Sequence, residues 1–190
     1  MTTKSKTTST LILSLTFLML LVLNACKPKC ERHPDDAECV GEEEIITSLK
    51  VTFKDSATGA VAYVYQFKDA DNNGVPEQFD TIKLQSNKTY KTELQFLNEA
   101  VSPAQDVTGE IEKEKNDHLI AMHAHNVALT ITYIDFDDNN LPVGLQTYWR
   151  TGAAGNGQAH VVLRHQPEVK DGTETPGDTD MEVEFNVVVQ

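Results

Sequence analysis

The chain has 190 residues, and 16 Lys and Arg stand against 29 Asp and Glu, which gives a formal net charge of −13 at pH 7. A chain this acidic repels nucleic acid and anionic lipid headgroups, so the composition argues against both as partners. The length suffices for one domain with a hydrophobic core of its own.

The first 25 residues have the organisation of a secretory signal. Lysines precede an apolar run at residues 11–23, and small residues follow it. The run is shorter than the roughly 20 residues that a membrane span needs, although an uncleaved anchor helix is the alternative. The sequence Leu-Asn-Ala-Cys at 23–26 resembles the lipobox of bacterial lipoproteins, which implies cleavage before Cys26 and lipidation of its thiol. Residues 1–25 are therefore predicted to be a lipoprotein signal peptide.

Residues 26–44 are predicted to be a lipidated, acidic tether, because they hold too few apolar side chains to fold alone. Cys30 and Cys39 lie within it, and outside the cytoplasm such a pair most simply forms a disulfide loop. The acidic run after Lys27 resembles the surface-export signals of Bacteroidota lipoproteins. It implies the cell envelope, and within it the outer membrane, without distinguishing its periplasmic face from its surface face.

From Ile45 onward, apolar and polar residues alternate, which is the pattern of strands that bury one face. The stronger candidates are residues 49–53, 61–67, 90–96, 127–133, 161–163 and 181–189, and shorter ones are 79–84, 118–124 and 143–149. Two such sheets must bury their apolar faces on each other. Residues 45–190 are therefore predicted to form one all-β domain, an antiparallel, immunoglobulin-like β-sandwich of about eight or nine strands.

Three segments depart from this alternation. Residues 106–117 begin with Asp106 and Thr108, which are candidate N-caps, and continue with good helix formers, so a short connecting helix is predicted. Residues 151–157 are rich in glycine and predict a flexible hairpin tip. Residues 169–180 predict a long exposed loop before the last strand.

An acidic turn occurs twice, because residues 67–76 align with residues 133–142. The first copy offers Asp69, Asp71, Asn73 and Asp80 at the spacing of an EF-hand calcium loop. The flanking segments are strands and Asp80 replaces the usual glutamate, so a plain β-turn is the alternative. Calcium is accordingly a weak candidate.

The histidines are stronger candidates for a metal site than the calcium-like turn. His123 and His125 are two residues apart, so on a strand both rings leave the same face. His160 is predicted to point outward on its own strand and to join them if the strands adjoin. Neutral imidazoles in this arrangement bind zinc or copper, and haem ligation is a further alternative. Exposed polar side chains on a wet sheet face are the simpler interpretation.

The mature domain resembles a family of small Bacteroidota lipoproteins. The matching segments are Glu-Glu-Glu-Ile-Ile-Thr at 42–47, Asn-Lys-Thr-Tyr at 87–90, Leu-Gln-Phe-Leu-Asn-Glu at 94–99, Asp-Val-Thr-Gly-Glu-Ile at 106–111, Thr-Gly-Ala-Ala at 151–154, Leu-Arg-His-Gln-Pro at 163–167 and Gly-Asp-Thr-Asp-Met-Glu-Val-Glu-Phe-Asn-Val at 177–187. Members often carry the description "type 1 periplasmic binding domain-containing protein" and are encoded beside TonB-dependent receptors. The resemblance implies nutrient capture with such a receptor as partner, and it favours His118 and His165 as the functional histidines.

No catalytic motif stands out in the sequence, so an enzyme is not expected. The predicted function is that of an outer-membrane-anchored, non-enzymatic binding or accessory lipoprotein for nutrient uptake, capturing a metal or metal chelate through its histidines. The alternative is a pure interaction module that docks on an outer-membrane receptor and binds no small ligand.

Overall fold

A computed structural model describes residues 45–190, which belong to a compact unit, Val40–Gln190. The predicted signal peptide, the predicted tether and the cysteines at 26, 30 and 39 lie outside the described residues. Within residues 45–190 the chain forms two packed β-sheets and one short helix, so the predicted all-β sandwich is confirmed.

The described residues form eleven strands, β1 to β11, and one helix, α1. In chain order they are β1 (Ser48–Asp55), β2 (Val61–Lys68), β3 (Gln78–Phe79), β4 (Ile82–Leu84), β5 (Thr89–Asn98), β6 (Gln105–Asp106), α1 (Thr108–Lys113), β7 (His118–His125), β8 (Leu129–Tyr133), β9 (Gln146–Thr151), β10 (Gly155–His165) and β11 (Asp178–Val189). One sheet has seven strands in the order β3-β2-β1-β5-β9-β8, with β6 paired to β5. The other has four strands in the order β4-β11-β10-β7.

The core lies between the two sheets and is supplied by alternate residues of each long strand. Trp149 of β9 has no exposed surface, and its ring meets that of Phe53 of β1 edge-on, with centroids 5.2 Å apart. From the four-stranded sheet, Ile120, Leu163 and Phe185 reach the same core with no exposed surface. Burying aromatic and branched side chains of this size provides most of the driving force for folding.

Four details of the strand prediction need correction. Residues 79–84 form no single strand, because β3 pairs with β2 in one sheet while β4 pairs with β11 in the other. The β4–β11 pairing is parallel, which hydrophobic alternation cannot distinguish from antiparallel. Residues 151–157 form no hairpin tip, since β9 and β10 belong to different sheets. Eleven strands exceed the predicted eight or nine because two-residue strands leave no periodic signal.

The predicted helix is present but shorter than residues 106–117. Its N-cap residue is Val107, which makes no side-chain capping bond. Of the two candidate caps, the Asp106 carboxylate accepts the N–H of Thr108, the first residue of α1, at 3.0 Å, whereas the Thr108 hydroxyl accepts the Phe96 N–H of β5 at 2.9 Å. The Thr108–Phe96 bond attaches the start of α1 to β5. Among residues 45–190, no helix is long and apolar enough to cross a membrane.

Substitutions of two neighbouring aromatic residues test this arrangement of faces. Trp149→Ala is expected to lower the free energy of unfolding by about 3–5 kcal/mol, because it leaves a large cavity in the core. Tyr148→Ala, on the opposite face of the same strand, should change it by about 0.5 kcal/mol or less. Urea unfolding followed by fluorescence or circular dichroism measures both. Similar losses from the two variants would contradict the alternation of β9.

Candidate functional site: a buried histidine cluster at one end of the sandwich

His118 and His165 occupy one end of the core, where the apolar side chains stop. His118 begins β7, His165 ends β10, and the two residues are direct cross-strand partners. Their imidazole rings stack with centroids 4.8 Å apart and planes 9° apart. His118 follows the inward parity of Ile120 and Met122 and has no exposed surface. Two polar rings therefore close the end of a hydrophobic core.

A β-bulge brings a carboxylate to the same place. The register between β10 and β11 shifts between Leu163, which pairs with Met181, and Arg164, which pairs with Thr179. Asp180 is the residue left over, and its side chain is only 1% exposed. Bulges re-aim side chains in this way. As a result, the Asp180 Oδ2 atom lies 3.8 Å from the His118 Nε2 atom.

A backbone contact determines which nitrogen of His118 carries the proton. The Nδ1 atom lies 3.1 Å from the backbone carbonyl oxygen of Glu114. Because a carbonyl oxygen can only accept, Nδ1 must be the donor. In the neutral ring, Nε2 then carries the lone pair and faces Asp180. At 3.8 Å the Nε2 and Asp180 Oδ2 atoms are at ion-pair distance, and a metal cation bound beside them would be balanced by the carboxylate.

The Glu114 side chain completes the group. One ligand atom from each of Glu114, His118 and His165 lies within 4.8 Å of the others. Glu114 is the C-cap residue of α1, four residues before His118, so the short helix positions both its carbonyl and its carboxylate. We call Glu114, His118, His165 and the adjacent Asp180 the inner histidine cluster. Its nitrogen and carboxylate atoms are of the kinds that bind zinc and copper.

The loop between β10 and β11 packs beside this cluster and is well anchored. Gln166 is fully buried, and its Nε2 atom donates to the carbonyl oxygens of Thr173 and Pro176, at 2.9 Å each. Gly177 approaches so closely that an added Cβ would lie 2.0 Å from the His165 carbonyl oxygen. The predicted long loop is therefore present, but residues 178–180 belong to β11, and the start and end of the loop are held against the end of β10.

A buried ion pair also anchors the loop. The Lys170 ammonium lies 2.9 Å from Asp137 Oδ2 with both side chains nearly inaccessible, and it donates to the Lys115 carbonyl oxygen at 2.7 Å. Burial tends to raise the pKa of Asp137, but the Leu141 N–H and the Lys170 ammonium outweigh it, so the pKa lies below its ordinary value. The pair connects the loop to the β8–β9 turn and to the segment after α1.

The other three histidines of residues 45–190 lie on the opposite face of the same sheet. His123 and His160 are direct cross-strand partners with ring centroids 6.4 Å apart, and His125 lies 6.3 Å from His123. The residue spacing predicted this grouping, and we call these residues the outer histidine face. Among residues 45–190, the sets of three or more His, Asp or Glu with ligand atoms within 4.8 Å are Glu114–His118–His165 and Asp69–Asp71–Glu77, and the outer face is not one of them.

The proposed calcium loop is partly assembled. Asp69 and Asp71 come together, but with Glu77 as the third carboxylate. Asp80 instead accepts a backbone N–H of β2 at 2.8 Å, and Asn73 donates its own backbone N–H to Asp69 at 3.1 Å. Local hydrogen bonds therefore explain the positions of these side chains, as the plain β-turn alternative expects. Calcium binding stays a prediction.

The two acidic turns do share a structure, offset by two residues from the sequence alignment. The Asp69 carbonyl accepts the Asn72 N–H at 3.1 Å, and the Asp137 carbonyl accepts the Asn140 N–H at 3.1 Å. Both asparagines have positive φ, 52° and 62°. The structural equivalent of Asp69 is therefore Asp137, whereas the alignment paired it with Asp135.

Sequence reasoning missed two members of the inner histidine cluster. Glu114 was one acid among many in the predicted helix, and its position four residues before His118 was the only local signal. Asp180 lies inside the segment 177–187 that carries the family resemblance, but a bulge is not visible as a hydrophobic period. The resemblance had favoured His118 and His165, and the structure places these two side by side.

Comparison with known proteins assigns no family to the chain. No family model matches it, and neither the curated proteins nor the solved structures include a match. A function for this chain therefore has to be argued from the chemistry of the two histidine groups.

The buried ion pair generates a prediction about stability and pH. Lys170→Met leaves the Asp137 carboxylate buried without its cation, so we expect the free energy of unfolding at pH 7 to fall by about 3 kcal/mol. The folded pKa of Asp137 is depressed, so its contribution is present above the unfolded value of about 3.9 and is lost as the pH falls through the folded value. The difference between wild type and variant should shrink on acidification below about pH 4.

Lys115→Met is the matched control, because the Lys115–Asp138 pair is exposed and its removal should cost far less. Urea unfolding at several pH values measures both variants. Equal losses from the two, or a Lys170→Met loss that does not diminish in acid, would contradict the role assigned to the buried pair.

Proposed function

We propose that this chain is a cell-envelope, outer-membrane-anchored, non-enzymatic binding lipoprotein that captures a divalent transition-metal ion, zinc or copper, alone or as a chelate. The observation that carries the proposal is the inner histidine cluster, in which ligand atoms of Glu114, His118 and His165 lie within 4.8 Å of one another. The lipobox-like sequence that ends in Cys26 supports the predicted location in the cell envelope. The family resemblance supports a role in uptake beside a TonB-dependent receptor.

The cluster suits a metal ion in both ligand type and ligand orientation. A histidine ligand usually donates its other ring N–H to a carbonyl or carboxylate, which orients the ring and fixes its tautomer. The His118 Nδ1 bond to the Glu114 carbonyl is such a contact, and the Nε2 atom of the same ring lies beside Asp180. Asp180, beside that nitrogen, would balance the charge of a divalent cation in a buried place.

The ligand atoms of Glu114, His118 and His165 lie within 4.8 Å of one another, and a bound ion would hold them closer than that limit. Ligand bonds of about 2.0–2.2 Å around tetrahedral zinc place ligand atoms about 3.4 Å apart. Rotation of the partly exposed Glu114 side chain and a small shift of the His165 ring would close the cluster. A bare or small-chelate ion suits it better than haem, because the His118 ring has no surface open to a porphyrin.

Calorimetric titration of residues 40–190, purified without a histidine tag, tests the proposal. This unit excludes Cys30, Cys39 and His33, which could otherwise bind the added metal. We expect zinc or copper to bind at the inner histidine cluster, with affinity falling at least tenfold in Glu114→Gln and in His165→Asn, because each removes a ligand. Glu114 is only partly buried, so Glu114→Gln should keep the fold, and circular dichroism checks both variants.

Glu112→Gln is the matched control, since it removes an exposed carboxylate of the same helix and should leave the affinity unchanged. Equal affinity in wild type, Glu114→Gln and His165→Asn would contradict the site. No heat with zinc, copper or haem would contradict metal capture and favour the interaction module, for which a pull-down from outer membranes is the next experiment.

A further inference from the structure

We propose that His123 and His160 form a second transition-metal site on the outer histidine face, with His125 as a third ligand. The site is independent of the inner histidine cluster and does not rest on metal capture there. Its ligand class is a divalent ion that prefers imidazole, such as zinc, copper or nickel.

The sheet register places the two principal ligands directly opposite each other. His123 of β7 pairs with His160 of β10, and both lie on the solvent face because their neighbours Met122 and Val161 point into the core. Opposite residues of an antiparallel pair have Cβ atoms about 5 Å apart, within reach of a shared ion. The backbone therefore holds the two rings as neighbours without further folding.

The distance between the rings is close to that of a chelate. Two imidazoles bonded to one zinc at about 2.0–2.1 Å have centroids roughly 5 Å apart. The centroids of His123 and His160 are 6.4 Å apart, so the rings must close by roughly 1 Å. The His123 side chain is 49% exposed and can make this change of rotamer in solvent.

Two carboxylates orient the rings for binding through Nδ1. The His123 Nε2 atom lies 2.6 Å from Glu174 Oε2, and the His160 Nε2 atom lies 2.8 Å from Glu182 Oε1. Ionised carboxylates only accept, so Nε2 donates in each ring and Nδ1 carries the lone pair when the ring is neutral. A carboxylate on the distal nitrogen is the usual support of a metal-bound histidine.

The surroundings favour a cation. Glu184 is the direct neighbour of His160 on β11, so His123, His160 and Glu184 form a row across three adjacent strands. Together with Glu174 and Glu182 this places three carboxylates beside the rings. Their negative potential raises the local concentration of divalent ions.

The experiment is a zinc titration of residues 40–190, which lack Cys30, Cys39 and His33. The protein carries Glu114→Gln and His165→Asn, so that binding at the inner histidine cluster is removed. Long-range proton–nitrogen spectra of the histidine side chains report which ring nitrogen binds. We expect one equivalent of zinc to bind, with metal-bound Nδ1 signals at His123 and His160.

His160→Asn in this background should weaken zinc binding at least tenfold, and His125→Asn should weaken it less. Asn186→Ala is the matched control on the same sheet face and should leave the affinity within twofold. Three results would each overturn the cross-strand site. They are an unchanged zinc affinity in His160→Asn, coordination through Nε2, and a loss of affinity in His125→Asn without one in His160→Asn. A native backbone spectrum confirms that each variant is folded.

Discussion

The burial of one face of each sheet against the other is the constraint on which the rest of this structure depends. Successive residues of a strand point to opposite faces, so a strand with a buried side has no freedom to shift by one residue. In β7 this places Ile120 and Met122 in the core and sends His123 and His125 into solvent. The same parity sends His118 inward, where the apolar core ends.

This division produces two histidine groups with different chemistry on one sheet. The inner histidine cluster is enclosed, with a ring of no exposed surface and a carboxylate exposed by 1%. An ion there would lose most of its water and would be held by whichever protein atoms close around it. The outer histidine face is open, with the His123 and His160 rings hydrogen-bonded to glutamates, and it can exchange ions with solvent. Tight retention of an ion therefore suits the inner histidine cluster, and rapid capture of an ion suits the outer histidine face.

The segment between β10 and β11 connects the two groups. It supplies Glu174 to the outer histidine face and leads into the bulge that presents Asp180 to the inner histidine cluster. Its anchors are the fully buried Gln166 and the Lys170–Asp137 pair. Because these anchors bury a charge and several backbone bonds, the loop is part of the folded body despite its loop-like composition.

The sequence by itself determined the sandwich, the strand faces, and the grouping of His123, His125 and His160, because period-two alternation is a local property that survives folding. It did not determine the parallel β4–β11 pairing, the two-residue strands or the crossover at residues 151–157, because strand partners are chosen by contacts between distant segments. Glu114 and Asp180 became members of the inner histidine cluster only in three dimensions. A helix end and a bulge, neither marked by any period in the sequence, carry them to His118.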